Sequence, residues 1–145
     1  RWNENWDPKH VWIDSIVEKE TGVPEERPRV AAVFVNRLKR SMMLQSDPTT
    51  IYAITRGESR LDRGLTYDDL KLDDPYNTYA RAGLPPGPIA LPGKAAIMAA
   101  ARPDDTDELY FVADGTGGHA FAKSLREHNR NVRAWRAIQR QGNKQ

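Results

Sequence analysis

The sequence predicts an α+β fold, a mostly helical single domain with one small β-hairpin. Three observations carry this reading. Apolar residues recur at helical spacing in several segments, whereas only Leu109–Ala113 and His119–Ala122 flank a glycine-rich hairpin signal, Asp114-Gly-Thr-Gly-Gly118. The 145 residues suit one domain. That length closes a core without metal or disulfide staples, and there are no cysteines to supply either.

The first helix starts at Asp7-Pro8, with Asp as N-cap and Pro in the first turn, and runs to Glu20. Val11, Trp12 and Ile16 share one face and point to the core, while Gly22 supplies the permissive backbone that ends the helix. Glu18 and Glu20 are two residues apart, hence on different faces, so they do not form a facing pair. A glutamate at a helix end is ordinarily a solvated surface charge. Its alternative here is a carboxylate held at the mouth of a cleft.

A second helix begins at Pro24 or Pro28 and reaches Arg40, with Val30, Val33, Phe34 and Leu38 as its apolar stripe and Arg37 and Lys39 outside. Met42–Gln45 is a brief extended segment, after which Asp47-Pro48 opens a third helix through Ile54, Asp47 being its simplest N-cap. Residues 56–63 form a polar loop, and Thr66-Tyr-Asp-Asp69 is a capping box for a short helix ending near Leu72. Between Asp73 and Gly93, five prolines and three glycines rule out regular structure and require a long ordered loop. Such loops are often functional. Ala95–Ala101 is a helix of small residues suited to close packing, and Ser124-Leu-Arg-Glu127 is a second capping box. It starts a last helix in which Leu125, Val132, Trp135 and Ile138 seek the core, while Arg126, Arg130, Arg133, Arg136 and Arg140 form a solvated face.

Composition removes several function classes. The 22 basic and 20 acidic residues leave a net charge of +2, too balanced for a dedicated nucleic-acid binder. The hairpin glycines lack phosphate-loop spacing, so neither nucleotide nor other cofactor is expected. The only histidines, His10, His119 and His128, form no ligand cluster, so no metal is expected. No run approaches the length of a membrane-spanning helix, so no membrane segment is expected in this chain, and its start does not resemble a signal peptide.

Seven ordered blocks carry a more specific reading: Ser15-Ile-Val-Glu-Lys-Glu-Thr21, Val33-Phe-Val-Asn-Arg-Leu38, Leu44-Gln-Ser-Asp-Pro-Thr49, Tyr76-Asn-Thr-Tyr79, Gly83-Leu-Pro-Pro-Gly87, Tyr110-Phe-Val-Ala-Asp-Gly115 and Gly117-Gly-His-Ala-Phe121. Together they resemble the motif series of the endolytic murein transglycosylases, the MltG or YceG-like family. The resemblance runs from about Ile13 to Ile138. It implies a lysozyme-like catalytic cleft and cutting within peptidoglycan glycan strands to leave 1,6-anhydromuramic ends. The chain is accordingly expected to comprise an atypical N-terminal lead-in at 1–12, a catalytic domain at 13–140 and a tail at 141–145. The implied setting is extracytoplasmic, on the periplasmic face of the inner membrane and near the cell-wall synthesis machinery, with the family's anchor and additional domain absent from this chain.

Glu20 matches the family's catalytic glutamate. Such enzymes work with one carboxyl, which acts first as acid and then as base and therefore needs a raised pKa. Burial at a helix end would supply it, and Lys19 should face elsewhere. The resemblance further implies substrate contacts at Gln45, Tyr76, Asn77, Tyr79 and His119, and Glu18 is carried with them. The Tyr76-Asn77 pair is similar to a Tyr-Asn element of lytic transglycosylases, its amide suited to an N-acetyl group. Both tyrosines equally suit a loop-anchoring role. Two departures stand out: Asp14 occupies a position where a small apolar residue is common, which disturbs packing unless it faces water, and Ser41 stands where glycine is common. Two rivals remain at this stage. A water-using muramidase would need a second carboxylate, from Asp47, Asp73 or Asp74, and a silent peptidoglycan-binding module would follow if Glu20 were misplaced.

Overall fold

Helix α1 (Lys9–Glu20) lies at the centre of the packing, although Val11 and Trp12, expected to face the core beside Ile16, are only half-buried. Ile13, Ile16 and Val17 are buried against α2 (Arg27–Lys39) and α5 (Lys94–Ala101), and α5 approaches closely because it offers only Ala96, Ala99 and Ala100 to the interface. A 3-10 turn at Pro24–Glu26 leads into α2, whose Val30, Val33 and Phe34 complete the same core. The computed structural model describes residues 9–142, so the helix start expected at Asp7-Pro8 lies outside the described residues. Helix α1 is continuous across residue 12.

Helix α3 (Asp47–Thr55) and the one-turn α4 (Tyr67–Leu70) follow, and the Thr66–Asp69 capping box forms as expected, with both reciprocal hydrogen bonds made. The segment from Asp73 to Gly93 has no regular structure. It is nevertheless tied down: the Ile89 N–H donates to Ser15 Oγ at 3.1 Å and the Gly93 N–H donates to Glu18 Oε2 at 3.0 Å. Strands β1 (Tyr110–Ala113) and β2 (His119–Ala122) pair antiparallel, with Phe111 opposite Phe121 and Ala113 opposite His119. Gly115 and Gly117, at φ 90° and 92°, make the turn between them. Helix α6 (Leu125–Gly142) packs on this hairpin and extends past residue 140.

Five local expectations need correction. Arg37 points inward, only 7% exposed, because its guanidinium replaces water with the carbonyls of Leu109 (2.7 Å) and Met43 (2.8 Å). Asp14 does not face water: it is 3% exposed and its Oδ1 has no hydrogen-bond partner among the described residues. Ser46, not Asp47, is the N-cap of α3, and Asp47 is the first helical residue. Leu125 and Ile138 remain largely exposed, since α6 packs chiefly on the two-stranded hairpin. Gly22 is not in the left-handed region, whereas Ser41 is, at φ 55°. Chain reversal after α2 therefore strains a serine.

Candidate active site

A cleft of about 310 Å³ opens between the end of α1, the start of α3 and the hairpin. Glu20, Gln45, Asp47, Tyr79 and His119 line it, together with buried Arg37. Sequence alone had singled out four of these for the site, Glu20, Gln45, Tyr79 and His119, and the fold brings them to one cavity.

Glu20 reaches the cleft because α1 ends at it, while Lys19 points to solvent as expected. Burial pushes the Glu20 carboxyl up to about 7. The Ser46 hydroxyl, which donates to Oε1 at 2.5 Å, opposes that rise, the charge of Asp47 adds to it, and His119 again opposes it. The outcome is a carboxyl that exchanges its proton near neutrality.

The serine is itself held rigidly. Its N–H donates to Thr78 Oγ1 at 2.9 Å, its carbonyl accepts from Thr49 Oγ1 at 2.6 Å, and the two threonine hydroxyls share a 2.7 Å hydrogen bond. Ser46, Thr49 and Thr78 are all buried, and Glu20 is half-buried at the edge of the cleft. Next to it, Gln45 sits at φ 50°, a strained backbone position for a residue with a side chain, with its N–H donating to Thr78 O at 3.3 Å. Tyr79 donates from its hydroxyl to Asp47 Oδ1 at 2.5 Å, and burial followed by that carboxylate holds the phenol protonated well above the usual tyrosine range. The opposite wall depends on Glu26, which accepts the His119 N–H at 2.8 Å and meets its ring Nδ1 at 2.7 Å. Gly118 is what permits this: a Cβ there would stand 2.7 Å from Glu26 Oε1.

Three of the expected contact residues lie elsewhere. Asn77 is fully buried and its amide is used up internally. Oδ1 accepts from Thr50 Oγ1 (2.8 Å) and the Tyr79 N–H (3.1 Å), while Nδ2 donates to the carbonyls of Leu70 (3.0 Å) and Leu72 (2.8 Å). No hydrogen-bonding capacity is left for an N-acetyl group. Tyr76 packs on Tyr52 with ring centroids 4.7 Å apart and anchors the loop to the core. Glu18 caps the start of α5 through Gly93, the N-cap residue. Of the three aspartates that could have served as a second carboxylate, Asp47 lines the cleft, whereas Asp73 pairs with Arg81 and Asp74 with Arg56. Among the described residues no three acidic or histidine side chains converge to hold a metal ion.

A model of the YceG-like family matches residues 3–134, nearly the whole chain. The chain belongs to the YceG-like family. The same likeness extends to curated proteins named endolytic murein transglycosylase. That of Bacillus subtilis is 47% identical over 122 residues, covering 84% of this chain and 33% of the relative. That of Streptococcus pneumoniae strain D39 is 42% identical over 124 residues, covering 83% and 22%. This YceG-like chain thus spans a third or less of the length of these relatives. A crystal structure of a YceG-like protein from Listeria monocytogenes superposes with a TM-score of 0.78 at 45% identity, over 84% of this chain and 39% of that one.

Sequence reasoning missed Ser46, Glu26 and the inward turn of Arg37. Ser46 lies inside the Leu44–Thr49 block, so its place before a helix-opening Asp-Pro was the available signal. For Glu26 nothing local marks a partner 93 residues away.

Proposed function

We propose that this chain is the catalytic part of an endolytic murein transglycosylase, a lyase that cuts the bond from muramic acid to N-acetylglucosamine inside peptidoglycan strands. The observation that carries the proposal is Glu20: a cleft-facing carboxyl, raised to about 7 by burial and oriented by a single hydroxyl. In the protonated form it donates its proton to the bridging oxygen as the C1–O bond breaks. The resulting carboxylate then takes the proton of the muramic C6 hydroxyl, whose oxygen bonds to C1. One 1,6-anhydro end and one new free hydroxyl result, and no water is consumed. Asp47 and Gln45 line the same cleft, and we assign them to the sugar. The relatives' names support this reading, and murein lies outside the cytoplasmic membrane, so we place the reaction there, in company with the synthesis of new strands.

A water-using muramidase is the second reading, favoured by one observation, the presence of Asp47 in the cleft. Mass spectrometry of uncrosslinked strands digested by the native chain and by Glu20→Gln separates the two. Anhydro ends from the native chain alone are expected. Reducing ends would replace the proposal with hydrolysis based on Asp47, and intact strands with a folded chain would leave a binding module.

A further inference from the structure

Beside the Glu20 cleft lies a larger and more open one of about 900 Å³, between the hairpin turn and the last two turns of α6. Ala113 and His119 line both, so the two spaces adjoin across the end of the hairpin. We propose that this second cleft binds the carboxylates of the peptide stems carried by a murein strand while the strand occupies the Glu20 cleft. The inference rests on the transglycosylase reading for its polymer and on the following features for its chemistry.

One wall is backbone. Gly115, Gly117 and Gly118 present no side chains, and at Gly115 a Cβ would stand 3.1 Å from the Ile138 side chain, so the turn lies close against α6. The other wall supplies charge and an apolar surface. Arg136 and Arg140 line it, with the half-buried Trp135 beside them. Helix α6 carries five arginines and a single acid, Glu127. Among the described residues none of those arginines makes an ion pair. The nearest acid on the turn, Asp114, is engaged by Thr116, whose N–H (2.9 Å) and hydroxyl (2.6 Å) both donate to Oδ1. Two guanidiniums without partners, set against an apolar ring, suit an anionic group on a small apolar chain. A stem peptide has this composition, with free carboxylates and alanine methyls, and its attachment to the muramic sugar delivers it next to the cleft that holds the sugar. Attachment also converts a weak contact into an intramolecular one.

The test compares binding of uncrosslinked strands with and without their stems, in the Glu20→Gln background so that strands stay intact. Arg136→Gln/Arg140→Gln removes the proposed contacts, and Arg126→Gln/Arg130→Gln removes equal charge from the same helix outside the cleft. Stem-bearing strands should bind about fivefold tighter than stripped ones, as two exposed ion pairs would give. Only the first double variant should lose that margin, while stripped strands bind all three proteins alike. No margin in the parent, a margin retained by Arg136→Gln/Arg140→Gln, or equal loss in both doubles would overturn the proposal. The readout is separate from catalysis. A native chain that cuts strands without the stem margin sinks this inference alone, and one that shows the margin but yields no anhydro ends sinks the transglycosylase reading alone.

Discussion

Asp14 and Glu20 stand on one helix, and burial pushes both carboxyls up to about 7, yet their surroundings differ in every other respect. Glu20 opens on a cleft and receives a hydroxyl donor from Ser46. Asp14 is enclosed in the core, lines no cavity with Glu20, and leaves Oδ1 without a partner among the described residues. A raised pKa therefore reports dryness and no more. Catalytic use requires, in addition, an open approach and a donor that fixes the carboxyl's orientation.

The widest separation between the two comes from removing each charge in turn. Glu20→Gln should lower strand cleavage about 10²–10⁴-fold, the usual range for a lost general acid, whereas Asp14→Ala should leave the rate within about twofold. Comparable rate losses in both variants, read from anhydro-end formation, would erase the distinction. Stability should respond in the opposite sense. The folded-state pKa of Asp14 lies above its ordinary value of 3.8, so the folded chain holds an extra proton between about 4 and 7. That contribution is fully present below about 4 and is lost as the pH rises through 7. Asp14→Ala should thus gain about 1–3 kcal/mol at pH 8 in a denaturant titration and nothing at pH 4.

Ser46→Ala sharpens the comparison by making Glu20 more like Asp14. The hydroxyl lowers the Glu20 pKa, so its loss raises that pKa further and moves the alkaline fall of the pH–rate profile to higher pH. The maximal rate should drop about tenfold, the worth of one charge-assisted hydrogen bond. A profile that keeps its shape would mean that Ser46 does not orient the acid. The smallest effect belongs to Ser41, where strain rather than dryness is the cost. Ser41→Gly should raise stability by about 0.5–1 kcal/mol without touching the rate, since φ 55° suits glycine.

Most of the fold was legible because periodicity and caps are local properties. The α2 stripe, the Thr66 capping box and the hairpin appear where spacing puts them. The site was legible in part. A helix that stops at Glu20 marks its carboxylate, and the Leu44–Thr49 and Gly117–Phe121 blocks mark the two walls. Tyr76, Asn77 and Tyr79 show where legibility ends. A loop fixes residue type in sequence, but which side chains turn inward depends on carbonyls left over elsewhere. Leu70 and Leu72 needed donors, and Asn77 supplied them. Arg37 turned inward for the same reason, drawn by the carbonyls of Met43 and Leu109. The exposed Leu125 and Ile138 failed differently, because an apolar stripe predicts a partner and not the partner's size.

The two backbone donations that dock the long loop on α1, from Ile89 to Ser15 and from Gly93 to Glu18, join residues 74 and 75 positions apart. Closing so long a span carries an entropic penalty before any contact compensates it, which places these contacts among the slow events of folding. On a ribosome, the first helix is finished long before α5 emerges to cover it. Until α3 and the hairpin pack beside it, Glu20 is an ordinary carboxylate in water. The acid at Glu20 therefore comes into being only with tertiary packing, when the start of α3 and the hairpin close around the end of α1.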